Sequence, residues 1–282
     1  FSFISTQVFA KIDTIKVACV GNSITEGLKL TNPELECYPA QLDQMLGDNY
    51  QVKNFGVSGR TMLKNGDFPI WDEALFKEAI DYKPDIVIIL LGTNDSKHYN
   101  WKHKEEFIPD CIAMIDTFRL AEPEPRIYAG LPPPAFIDNY NISNAVISGE
   151  IIPMIEKVAD SVGVSLIDFY TPLLDKGALF PDGIHPNIDG AEEMAKIIES
   201  TLVKLVAHWP MNDGSGTAVT DIVAGNNGNM VGLDPATAWL PPNGALGGGV
   251  RFDNIDSNHI EVPNVYELDF GDESFTVSML IR

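Results

Sequence analysis

Asp85-Ile86-Val87-Ile88-Ile89-Leu90-Leu91-Gly92-Thr93-Asn94-Asp95 is the stretch whose reading decides the fold. Its unbroken apolar run is too short for a buried helix and too uniform for a strand with one wet face. It predicts a strand buried on both faces, followed by a turn at Gly92. Strands of that kind occur in parallel sheets covered by helices on each side.

The flanking sequence repeats this unit. Ile15–Val20 predicts a strand ending at Gly21, and Tyr50–Phe55 predicts a second. Arg126–Leu131 and Val164–Phe169 predict two more after Asp85–Leu91. Helical spacing of apolar residues marks Pro39–Leu46, Trp71–Tyr82, Glu105–Leu120, Ile147–Val162 and Ile188–Leu205. The alternation predicts an α/β fold, a flavodoxin-like three-layer doubly wound parallel sheet. Sites in such sheets lie outside the carboxyl ends of the strands.

Near residue 205 the composition changes. Of the 19 basic residues only Arg251 and Arg282 lie beyond it, whereas glycines become dense. Short β-type runs at His259–Val262 and Phe275–Ile281 alternate with turn clusters such as Asn226-Asn227-Gly228. This part predicts an antiparallel β-sandwich, too short to be complete, so the chain is expected to continue. The expected organisation is a leader remnant over 1–10, an α/β domain over 11–205 and the first part of a sandwich over 206–282.

The chain of 282 residues carries a formal net charge of −21, with 45% hydrophobic and 21% charged residues. The balance is that of an ordinary globular protein and excludes nucleic acid as a partner, which recruits basic patches. No apolar stretch reaches the length of a membrane span. Phe1–Ala10 is uncharged and mostly apolar, and Val8-Phe9-Ala10 fits a small-residue cleavage rule. It reads as the tail of a secretory signal peptide, with a leading strand or a loose start as the bland alternative. The expected location is therefore secreted, periplasmic or cell-surface. Three cysteines are too few for a disulfide scaffold. Cys19 is expected in the core, and the sequence leaves a Cys37–Cys111 bridge open.

The polar clusters at the strand ends carry the chemistry. They are Gly21-Asn22-Ser23-Ile24-Thr25-Glu26-Gly27, Gly56-Val57-Ser58-Gly59-Arg60-Thr61, Gly92-Thr93-Asn94-Asp95 and, after the last strand, Asp182-Gly183-Ile184-His185-Pro186. A serine at a strand-to-helix turn can present its hydroxyl in the open. It needs a base, and the base needs an orienting group. Asp182 and His185, three residues apart, can lie side by side. The Ser23 and Gly59 amides and the Asn94 side chain can supply three donors to an oxyanion.

Together these four segments resemble the four blocks of the SGNH (GDSL-type) hydrolases, over about residues 15–205. The resemblance implies that Ser23, Asp182 and His185 are catalytic and that Ser23, Gly59 and Asn94 form the oxyanion hole. Asn22 stands where the family motif has Asp, a position outside the catalytic four. The run LGTNDSKHYNW resembles sialate O-acetylesterase-like and acetylxylan esterase-like members. That implies removal of O-acetyl groups from a carbohydrate, with an acetylated glycan as partner and no cofactor or metal. The pieces LVAHWPMNDGSGTAVTD, NNGNMVG, RFDNIDSNHIEVPN and GDESFTVSMLI resemble the opening of a laminin-G-like (concanavalin-like) domain, which implies glycan binding.

Blander readings stand beside these. Ser23 can simply cap a helix, with Thr25 helping. GNSITEG can be a phosphate-binding turn, although it lacks a Walker lysine. Arg60, Asp95 and Trp101 are candidate substrate contacts; Arg60 can equally pair with a carboxylate and Asp95 hold its turn. His98 and His103 share the loop with Trp101, Asp168 reads as a turn or cap, and His208 and Trp209 as sandwich core. Two other functions stay open: a lysophospholipase or thioesterase of the same family, and a glycan-binding protein with an inactive hydrolase part.

Overall fold

Ile86–Leu90 forms the middle strand of a sheet, and all five of its residues are buried. In the computed structural model it is β3 of five parallel strands: β1 Ile15–Gly21, β2 Tyr50–Gly56, β3, β4 Arg126–Leu131 and β5 Ser165–Asp168. The structure describes residues 14–120, 124–202, 209–211, 213–221, 226–240, 249–252 and 258–262. The strand order is β2-β1-β3-β4-β5, the flavodoxin-like arrangement. β1 pairs with β2 from Ile15↔Tyr50 to Gly21↔Gly56 and with β3 from Val17↔Ile86 to Gly21↔Leu90.

Period-two alternation splits each strand between two cores. Ala18, Val20, Val87 and Ile89 face one side. There they meet Phe76 of α3 (Ala74–Asp81), Phe107, Met114 and Phe118 of α4 (Phe107–Arg119), and Ile155 and Val158 of α5 (Ile152–Val162). Val17, Cys19, Ile86, Ile88 and Leu90 face the other side. They meet Ile24 of α1 (Ser23–Glu26), Tyr38 and Leu42 of α2 (Tyr38–Leu46), and Met194, Ala195 and Ile198 of α6 (Ile188–Leu202). Helix, sheet and helix make the three expected layers.

Two expected helices are interrupted. Trp71–Tyr82 becomes a tight turn over Ile70–Asp72 followed by α3, because Glu73 is extended. Its carboxylate is drawn to Arg60. Ile147–Val162 begins with a wide π turn at Ile147–Ile151 before α5. Pro153 has no N–H to return to Gly149, so the ordinary ladder is already broken there. All three cysteines are free and buried. Cys111 packs in the first core, and Cys37 accepts the Asn54 amide at 3.3 Å, so the bridge left open by the sequence does not form.

The chain divides into two units, Phe1–Leu202 and Val203–Arg282. In the second, β6 Ala218–Val219, β7 Gly228–Val231 and β10 His259–Glu261 form an antiparallel sheet. β8 Trp239–Leu240 and β9 Gly249–Val250 form an antiparallel pair. Val219, Met230 and Ala238 are buried, with Trp209 and Trp239 packed on them. Phe1–Ala10, His208 and the expected strand Phe275–Ile281 lie outside the described residues. Among the described residues no helix is long and apolar enough to cross a membrane.

Phe118 is fully buried and packs edge-on against Phe76 at 5.8 Å. Phe118→Ala is expected to lower the unfolding free energy of the larger unit by about 3–5 kcal/mol, through lost burial and a residual cavity. Urea unfolding of parent and variant measures it. A loss below about 1 kcal/mol would mean that α4 does not hold this side of the sheet.

Candidate active site

Because β1 is paired on both sides, Gly21, Gly56 and Leu90 end level with one another. The turns that follow them therefore leave the sheet together. Asn22 caps α1, its side-chain oxygen accepting from the Ile24 amide at 3.0 Å. Ser23 is thus the first helical residue and not the cap, and Thr25 bonds Tyr38 instead of helping to cap. An Asp at position 22 would offer the same acceptor, so this departure from the family motif keeps the cap; the Asn22 amide nitrogen itself is buried without a partner.

Ser23 Oγ lies 2.9 Å from His185 Nε2, and His185 Nδ1 lies 2.8 Å from Asp182 Oδ2. Ser23 and His185 are 7% and 5% exposed, so this chain of bonds is largely shielded from bulk water. The other Asp182 oxygen accepts the Ile184 amide at 3.0 Å and the His185 amide at 2.8 Å. One carboxylate thus folds the turn and orients the ring. Burial pushes the Asp182 carboxyl up, but the His185 amide, the His185 ring and the Ile184 amide outweigh it and hold the group below the usual carboxylate value. An aligned hydroxyl, imidazole and carboxylate can take the hydroxyl proton as the oxygen attacks.

Gly59 lies in the turn after β2 with φ +82, in the left-handed region where glycine is unstrained. A Cβ there would meet nothing within 4 Å, so its surroundings are open. Asn94, in the turn after β3, donates one amide hydrogen to the Arg60 carbonyl at 3.1 Å. A side-chain amide has a second hydrogen to give. Asn54 ties these turns to α1: its amide donates to Thr25 O at 2.8 Å, and its oxygen accepts the Gly56 amide at 2.8 Å.

The three candidate substrate contacts each make contacts within the protein. Both Asp95 oxygens accept backbone amides, from Met62 at 3.1 Å and Leu63 at 2.8 Å, and the residue is fully buried. Arg60 turns Nε to Glu73 at 2.8 Å and a terminal nitrogen to Ser58 O at 2.7 Å, so its donors face protein. Trp101 is buried against Phe107, ring centroids 5.5 Å apart. His98 packs on Tyr99, and His103 faces Glu106. Asp168 accepts the Tyr170 and Thr171 amides, as a turn residue does.

Sequence reasoning missed two groups. Asn100 donates to Asn94 O at 2.9 Å and to Asp67 at 2.8 Å, bracing the turn that carries Asn94. Asn139 donates to Asp182 O at 3.1 Å, and the Tyr140 hydroxyl reaches Asp182 Oδ2 at 3.4 Å. The sequence marks Asp95–Lys104 and Leu131–Asn144, the loops that hold these residues, as places where specificity is expected to lie, without pointing to the residues themselves. Among the described residues no group of three or more His, Cys, Asp or Glu could hold a metal ion.

The sequence pattern of the GDSL-like Lipase/Acylhydrolase family matches residues 19–192, and the chain belongs to that family. It is similar to an acetylxylan esterase of Xylanibacter ruminicola, 45% identical over 210 residues that cover 68% of this chain and 44% of that protein. The chain thus spans less than half the length of that relative. Its fold matches a carbohydrate acetylesterase from Sinorhizobium meliloti with TM-score 0.55 at 21% identity, covering 67% of this chain and 98% of that one. It also matches an aryl esterase of M. smegmatis with TM-score 0.55 at 18% identity, again covering 67% and 98%.

Burial pushes the Asp95 carboxyl up to about 6, against the pull of the Leu63 and Met62 amides. Between its ordinary value and about 6, the folded chain holds a proton that the unfolded chain has lost. This group's contribution to stability therefore falls as pH rises through that window. The stability of the parent relative to Asp95→Asn is expected to decrease from pH 4 to pH 6, measured by urea unfolding at both. A constant difference would mean that Asp95 titrates normally.

Proposed function

We propose that this chain carries the ester-hydrolysing part of a carbohydrate O-acetylesterase and acts through an acetyl-enzyme on Ser23. The observation that carries the reading is the bonded series from Ser23 Oγ to His185 Nε2 at 2.9 Å and from His185 Nδ1 to Asp182 Oδ2 at 2.8 Å. Ser23 Oγ attacks the ester carbonyl while His185 takes its proton. The carbonyl oxygen becomes an oxyanion, held by the Ser23 and Gly59 amides and the second amide hydrogen of Asn94. The C–O bond to the sugar breaks, and His185 returns the proton to the departing hydroxyl. Water then attacks the acetyl-Ser23 carbonyl, again losing its proton to His185; the bond to Ser23 Oγ breaks, His185 returns the proton to that oxygen, and acetate leaves. Asp182 stays ionised throughout and stabilises the imidazolium.

The sugar is supported by the likeness to an acetylxylan esterase. The net charge of −21 favours a neutral acetylated glycan over an anionic one. The proposal includes an exported enzyme, supported by the uncharged apolar run Phe1–Ala10, and a glycan-binding role for the glycine-rich second unit, supported by its sequence resemblance and antiparallel pairing.

Ser23→Ala is expected to lower kcat by roughly 10⁶-fold and Asn94→Ala by roughly 10²–10³-fold, read as acetate released from acetylated xylan. A fluorophosphonate should label the parent at Ser23. Equal turnover by Ser23→Ala would remove the mechanism. With the Asp182 carboxyl below its usual range, kcat/KM should rise with pH in a single step from loss of the histidine proton. A profile flat down to pH 4 would exclude a histidine base.

A further inference from the structure

The chain between β4 and α5 passes directly over the Asp182–His185 turn. The Phe136 amide donates to Gly183 O at 2.8 Å, and the Asn139 side chain donates to Asp182 O at 3.1 Å. Gly183, with φ +82, makes room for the strap, since a Cβ there would lie 2.7 Å from Ile137. At the crest, Tyr140 and Asn141 have φ of +54 and +62. Asn adopts that conformation readily, whereas a tyrosine there is rare and strained, and such strain persists at sites where the surroundings hold it. The surroundings are on view: the Tyr140 amide is held by its neighbour's side chain at 2.9 Å, and its ring stands edge-on to His185 with centroids 5.7 Å apart.

Despite that grip Tyr140 is 46% exposed as a residue, and Ile137 beside it on the strap is 58% exposed. The hydroxyl contact to Asp182 is 3.4 Å, long for an O–H···O bond, so the hydroxyl does not explain why the ring is there. A tyrosine brings a large apolar ring with a polar tip, and a sugar's C–H face is apolar too, so a half-exposed tyrosine beside the imidazole offers a surface on which a sugar can stack. His185 must also reach the sugar oxygen that leaves, so the sugar sits beside this ring as the acetyl group sits on Ser23.

We infer that Tyr140 is the stacking surface for the sugar that carries the acetyl group, and so sets the preference for carbohydrate esters over simple ones. This rests on the sugar-ester reading above. The subsite consists of the Tyr140 ring with Ile137 as its apolar shoulder, and it takes a neutral pyranose.

The test compares kcat/KM for acetylated xylotriose with that for ethyl acetate, whose leaving group is too small to stack. Tyr140→Asn removes the ring while suiting the left-handed backbone, and Tyr140→Phe keeps the ring without the hydroxyl. The carbohydrate preference is expected to fall on the order of 10-fold in Tyr140→Asn and to stay near the parent value in Tyr140→Phe. An unchanged preference in Tyr140→Asn overturns the proposal. So does an equal loss in Tyr140→Phe with a shifted pH profile, because the hydroxyl would then be acting through Asp182. A parent that cleaves ethyl acetate but no acetylated sugar overturns the substrate itself, a result visible before any variant is made.

Discussion

The structure depends on β1 being hydrogen-bonded to a parallel neighbour on each side. All seven of its residues are in register with β2, and five with β3. Parallel pairing forces each connection to cross over the sheet, which places helices on both faces. The same register brings the ends at Gly21, Gly56 and Leu90 level, so three turns open at one edge. A slip by one residue would exchange the two cores and misalign those turns together, since side chains alternate with period two.

Stitching among the turns is mostly polar and mostly buried. Asp95 takes two amides from the loop after β2, Asn54 spans α1 and β2, and Asn100 holds the carbonyl of Asn94. Burying such groups is costly unless every partner is in place, so the arrangement tolerates little displacement. Rigid turns suit the proposed chemistry, because an oxyanion donor helps only if it is already aimed. Arg60 and Asp95, next in sequence to the proposed donors Gly59 and Asn94, take part in this stitching through Glu73, Ser58 and the Met62 and Leu63 amides.

Most of the larger unit was legible. Asp85–Leu91 could be read as a doubly covered strand because nothing polar interrupts it, and the four strand-end clusters each combined glycine with a hydroxyl, amide or carboxylate. The bounds of two helices were not legible. Glu73 interrupts one near its start, extended and paired with Arg60 thirteen residues away in the chain, and Pro153 distorts the other from inside. The loops of Tyr140 and Asn100 were legible as places for specificity, but the two residues were not, because a loop has no periodicity to rank its side chains. Their partners, Asp182 and Asn94, are near only in space.

The sequence by itself determined the layered α/β class, a candidate site at the strand ends, and the resemblance of the segments around Ser23, Gly59, Asn94, Asp182 and His185 to the blocks of one family. These follow from local composition and period, which the chain carries at every point. Only the tertiary structure decided that Asn22, not Ser23, caps α1, that Asp95 is a buried brace, and that a strained tyrosine overlooks His185. Those outcomes depend on which distant backbone amide or ring arrives beside each side chain. Such encounters arise only when the crossovers close, and no local pattern encodes them.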